Sequence, residues 1–130
     1  MGMTVTHREG LRFSALARGH EVISDQPSGK GGTDQGMTPP ELLMASLGAC
    51  IGVYVVEFAE RHHLPHQGLT VDLDWERAED PTRIARVKVQ VRLPGEVSED
   101  FRKALHRVAE QCLIHNTLRS GPEVTITITS

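Results

Sequence analysis

The sequence predicts an α+β fold: antiparallel β-sheets with one long buried central helix, in the order βββ-α-ββ-α-α-β. Three observations carry this expectation. Short segments alternate apolar and polar residues and are joined by tight turns, as in antiparallel hairpins. One stretch, MTPPELLMASLGACIGVYVV from Met37 to Val56, is apolar on nearly every side and too long for a strand. The helical and strand patterns come in segregated runs rather than in strict alternation. At 130 residues, a single domain over 1–130 is the natural expectation.

The elements follow from local chemistry. Met3–Arg8 alternates weakly and Glu9-Gly10 turns the chain. Leu11–Ala17 alternates clearly, Arg18-Gly19 makes a second turn, and His20–Asp25 is a third strand. Residues 26–37, rich in Gly, Ser and Pro, read as a loop. Thr38-Pro39-Pro40-Glu41 is a capping box: the threonine hydroxyl caps a free N–H and the glutamate reaches back. Proline is tolerated there because the first-turn N–H groups have no helical partner. The helix runs to about Arg61 and ends in the Pro- and Gly-containing His62–Gly68.

Leu69–Arg77 is the fourth strand, with Val71, Leu73 and Trp75 on its core face. Thr82–Leu93 is the fifth. Its Val87, Val89, Val91 and Leu93 point one way, and Arg86, Lys88, Gln90 and Arg92 form a solvated face. Ser98 caps a helix to about Gln111, with Phe101, Leu105 and Val108 on its apolar stripe. Cys112–Gly121 reads as a short helix, and Glu123–Ser130 as a final strand. A helix apolar all round needs cover all round. Six short strands and one amphipathic helix hardly supply it, so an intertwined homodimer is expected.

Several function classes are disfavoured. The net charge is -3 with both signs mixed and no basic block, so no nucleic-acid partner is expected. The uncharged run Leu42–Val56 is shorter than the roughly 20 residues of a spanning helix, so no membrane role is expected. The N-terminus lacks a signal-peptide pattern, and the expected location is cytoplasmic.

The chemistry rests on two cysteines, Cys50 and Cys112. Buried cysteines are commonly inert small hydrophobes, and that reading stands beside a redox one. Cys50 lies about a dozen residues past the helix start. The helix dipole acts mainly within the terminal turn, so it does not activate this thiol, and burial alone would raise its pKa. A reactive Cys50 therefore calls for a nearby cation. Arg18 is preferred over Arg12 and the histidines, although a turn arginine can also be merely solvated. Cys112-x-x-His115 has metal-ligand spacing and with Cys50 would supply three of the four ligands a closed zinc site wants, and His62, His63 and His66 follow the central helix. The histidine cluster also suits a polar helix end beside a C-terminal dipole, and no metal is expected.

The segments Gly31–Cys50 (GGTDQGMTPPELLMASLGAC) and Ala109–Leu118 (AEQCLIHNTL) resemble the OsmC/Ohr family, the osmotically inducible protein C and organic hydroperoxide resistance proteins. The resemblance covers nearly the whole chain. It implies a cysteine-based peroxidase without metal, haem or flavin. In it Cys50 attacks an organic hydroperoxide and becomes a sulfenic acid, and Cys112 resolves it to a disulfide. A small dithiol or a lipoylated protein is the implied reductant, and an intertwined homodimer the implied assembly. Arg18 would activate the thiolate and Glu41 would orient Arg18. Two departures stand out. The family's helix-start glutamate falls on Pro40, one position before Glu41, and Arg18 matches the family arginine only with a one-residue shift. This points to a divergent OsmC-like member. The alternative is a dimeric small-molecule binding protein of the same fold with little turnover.

Overall fold

Alternation at the N-terminus produces the expected meander. Strands β1 (Thr4–His7), β2 (Phe13–Ala17) and β3 (His20–Ser24) pair antiparallel in the order β1-β2-β3. The register sets Thr6 opposite Ser14 and Ser14 opposite Ile23, which puts these residues on one face. The β2–β3 turn has Arg18 at φ 52° and Gly19 at φ 82°, the left-handed pair that a two-residue hairpin loop requires. All residues, Met1–Ser130, are described by the computed structural model, and they divide into two compact units, Met1–Ala45 and Ser46–Ser130.

Helix α1 (Pro39–Arg61) begins at the expected capping box. Glu41 Oε1 accepts from the Thr38 N–H at 2.8 Å and from its hydroxyl at 2.9 Å, while Thr38 Oγ1 accepts from the Glu41 N–H at 3.4 Å. Although α1 is apolar all round, the chain covers one stripe of it: Met44, Leu47, Ile51, Val55 and Ala59 are buried at helical spacing. Val53 on another face is 54% exposed.

In Ser46–Ser130, β4 (Thr70–Ala78) and β5 (Arg83–Arg92) form an antiparallel hairpin. Val71 pairs with Val91, Leu73 with Val89 and Trp75 with Val87. The polar face carries ion pairs between Arg92 and Asp72 at 2.8 Å and between Arg86 and Glu76. Helix α2 (Glu99–Ala109) starts at Ser98, whose side chain accepts from the Phe101 N–H at 3.2 Å. Its Phe101 packs edge-on to Phe58 of α1, with His62 between them in the same cluster. The core gathers Leu47, Ile51, Val55, Leu105 and Cys112, with Leu73, Val87, Val89 and Val91 packed against it.

Two expectations are corrected. Trp75, expected in the core, is 39% exposed near the end of the paired face, just before a bulge between Glu76 and Arg77. The final strand over Glu123–Ser130 does not form within the chain. Its Val124, Ile126 and Ile128 are 73%, 81% and 93% exposed. Alternation dictates two faces, but a strand exists only where another strand supplies its hydrogen bonds.

Candidate functional site

Helix α3 (Leu113–Arg119) brings the two thiols together. Cys112 is its N-cap residue, with φ -58° and ψ 136°, and the Cys112 sulfur accepts from the His115 N–H at 3.3 Å. Cys112 is fully buried, Cys50 is half-buried in the middle of α1, and both belong to one apolar cluster. Neither is in a disulfide.

Their acidities move in opposite directions. Burial pushes the Cys50 thiol up, but hydrogen bonds from the Cys112 thiol and from the N–H groups of Ile114 and Leu113 outweigh it, leaving Cys50 below its ordinary pKa. Cys112 is raised, first by burial and then by donating its own proton to Cys50. The pair is therefore polarised, with Cys50 the more acidic thiol and Cys112 the donor to it. The sequence expectation was a cation beside Cys50, and these donors carry no side-chain signature that would have announced them. The groups lowering its pKa are another thiol and backbone N–H dipoles, none of them an arginine.

Arg18 and Glu41 both lie in the Met1–Ala45 unit. They form no ion pair with each other, so the expected orienting contact is absent. The Glu41 carboxylate is committed to Thr38, whose N–H and hydroxyl hold it below the usual carboxylate range. In the same unit the Gly-rich loop is organised by a residue that sequence reading missed. Asp25 is 1% exposed and accepts from Gln26 N–H (2.7 Å), Thr33 Oγ1 (2.9 Å), Gln35 N–H (3.1 Å) and Thr33 N–H (3.3 Å). Burial raises its pKa, but these donors outweigh it and leave the carboxyl below its ordinary value. The glycines fit around this knot. A Cβ on Gly32 would meet the Gln26 carbonyl oxygen at 2.0 Å, and one on Gly36 the Ile23 carbonyl oxygen at 2.3 Å.

An apolar groove of about 660 Å³ lies within Ser46–Ser130. Ile51, Val89 and Leu105 form part of its lining, with Arg102, His106 and Arg119 among its polar residues. No three His, Cys, Asp or Glu side chains converge as metal ligands. His115 instead donates from Nδ1 to the Glu110 carbonyl at 3.0 Å.

The sequence model of the OsmC-like protein family matches residues 32–127, the segment that holds the Asp25-anchored loop's second half, both cysteines and all three helices. The chain belongs to the OsmC-like protein family. No curated protein matches it. Solved structures agree on the fold. An osmotic stress induced and detoxification response protein from Psychrobacter arcticus 273-4 superposes with TM-score 0.82 at 25% identity, over 88% of this chain and 85% of that one. The OsmC like protein from Mycoplasma pneumoniae gives 0.77 at 19% identity, over 92% and 87%. An organic hydroperoxide resistance protein from Legionella pneumophila gives 0.67 at 17% identity, over 92% and 90%.

For this OsmC-like chain, sequence reading found the two sulfurs but missed what surrounds them. The N–H groups of Leu113 and Ile114 carry no side-chain signature. Asn116 fastens α3, its Nδ2 donating to the Gln111 carbonyl at 3.4 Å. The available signal was Cys112 itself, four residues ahead of that asparagine at the start of a helical pattern.

Proposed function

We propose that this protein is a thiol-dependent peroxidase that reduces organic hydroperoxides to alcohols. The observation that carries the reading is the Cys50–Cys112 pair in one apolar cluster, in which one thiol is acidified by the other. The Cys50 thiolate attacks the distal oxygen of the hydroperoxide. The O–O bond breaks, the alkoxide takes up a proton and leaves as alcohol, and Cys50 becomes a sulfenic acid. The Cys112 sulfur then attacks the Cys50 sulfur and expels water, forming a disulfide. A dithiol, free or carried on a lipoylated protein, restores both thiols and is itself oxidised. The electrons come from thiols throughout, so the cycle needs no metal or organic cofactor. A half-buried thiolate in an apolar surround suits an alkyl hydroperoxide better than hydrogen peroxide. That some neighbours of the same fold are named organic hydroperoxide resistance proteins supports the reading.

The working form is proposed to be a homodimer in the cytoplasm, where free thiols stay reduced. The exposed Val53 of α1 and the alternating Val124, Ile126 and Ile128 both ask for cover that a second copy can supply.

Consumption of cumene hydroperoxide with dihydrolipoamide as reductant tests the activity. It should exceed consumption of hydrogen peroxide and vanish in Cys50→Ser. Equal idleness of the wild type and Cys50→Ser would demote the pair to packing. The apolar groove of about 660 Å³ favours a second reading, a small-molecule binding protein with little turnover. An apolar ligand recovered by mass spectrometry from protein that consumes no peroxide would favour it.

A further inference from the structure

The start of α3 differs from that of α2. Helix α2 is capped by a serine hydroxyl, whereas the free N–H groups of α3 turn to sulfur. His115 donates to the Cys112 sulfur at 3.3 Å, and the N–H groups of Leu113 and Ile114 help to lower the Cys50 pKa. The next N–H, of Asn116, makes the first helical bond, to the Cys112 carbonyl at 3.0 Å. Helix α3 has only seven residues, too few to be stable on its own, so its N-terminal partners weigh heavily.

We propose that α3 is a redox-responsive clasp: joining Cys50 and Cys112 in a disulfide weakens the sulfur acceptors of its first turn and loosens the helix. This rests on the two-cysteine reading above. The step balances as two thiols and one hydroperoxide giving one disulfide, one alcohol and one water. Before it, Cys50 is the more acidic thiol, and as a thiolate its sulfur is a strong acceptor. After it, both are neutral disulfide sulfurs, poor acceptors beside an anion.

The other ties of α3 remain: His115 Nδ1 to the Glu110 carbonyl, Asn116 Nδ2 to the Gln111 carbonyl, and Ile114 against the core. The change is therefore a fraying of α3, not its detachment. Two consequences follow from position. Cys112, wholly buried when reduced, gains a route to solvent and to a dithiol. The groove also opens, because His115, Leu118 and Arg119 of α3 are part of its lining.

Amide hydrogen exchange read by mass spectrometry on the full chain tests the clasp. Fully reduced protein is compared with protein oxidised by diamide, with thiol titration reporting disulfide formation. The Leu113–Arg119 amides should exchange about tenfold faster in the disulfide form, the scale of losing one helix cap, and recover with dithiothreitol. Amides of α2 should not change. In Cys112→Ser, a hydroxyl caps α3 and no intramolecular disulfide can form, so diamide should leave α3 unaffected. A complete disulfide with unchanged α3 exchange would overturn the clasp while leaving the peroxidase reading intact. Equal acceleration in Cys112→Ser would also overturn it. Thiols that stay free in diamide would remove the two-cysteine cycle itself, and the clasp with it.

Discussion

Cys50 and Cys112 are the same chemical group in opposite settings. Cys50 stands in the middle of a 23-residue helix, where its own helix offers it no free N–H, and yet it is the acidified thiol. Cys112 stands at a helix start, the place associated with low thiol pKa values, and yet it is the raised one. The contrast teaches that a thiol's character follows from the donors aimed at its sulfur. The first-turn N–H groups of Leu113 and Ile114 act on the cysteine across from them, and burial pushes the Cys112 thiol up.

The harshest way to break this contrast is to exchange the roles. In Cys50→Ser, peroxide consumption should fall to background. In Cys112→Ser a single equivalent of cumene hydroperoxide should still be consumed, leaving a Cys50 sulfenic acid that dimedone traps. If Cys112→Ser lost the first equivalent and Cys50→Ser kept it, the assignment would be reversed.

Alkylation should separate the two thiols by a smaller but still large factor. With iodoacetamide on native protein at neutral pH, Cys50 should be labelled at least about tenfold faster than Cys112, because only the thiolate reacts and only Cys50 is accessible. Peptide mapping reads both sites from one sample, and equal rates would erase the distinction.

The pH profile sharpens it further. With its pKa depressed, Cys50 should become reactive as pH rises through a midpoint below that of a free cysteine. Cys112→Ala removes the S–H donor and should move that midpoint up. A midpoint that stays put would leave the acidity to the backbone N–H groups alone.

The smallest expected effect concerns Arg18. At φ 52° a non-glycine residue is strained, so Arg18→Asn should stabilise the β2–β3 hairpin by up to about 1 kcal/mol in urea unfolding. The Cys50 alkylation midpoint should not move, since the groups that acidify Cys50 include no arginine. An upward shift in that midpoint would restore the cation expected from sequence.

Much of the fold is legible because local chemistry and burial agree. The Thr38–Glu41 capping box, the alternation of β5 and the Ser98 cap each appear where local rules put them. Two readings failed for want of a partner that local pattern does not encode. Glu123–Ser130 alternates as cleanly as β5 but has no neighbour in the chain to pair with. Asp25 looked like the end of a strand until Thr33 and Gln35 folded back on it. The part that the α3 backbone plays in the acidity of Cys50 was also invisible, because Leu113 and Ile114 lie far along the chain and act through their N–H groups.

By itself, the sequence determined which segments become helix and strand, the family and the two sulfurs. Spacing, capping and alternation act over a few residues and are written in side chains. Only the tertiary structure decided which thiol is the more acidic, what holds Asp25 and which apolar faces remain open. Those follow from backbone dipoles and burial brought together by distant parts of the chain, and no single stretch of residues records them.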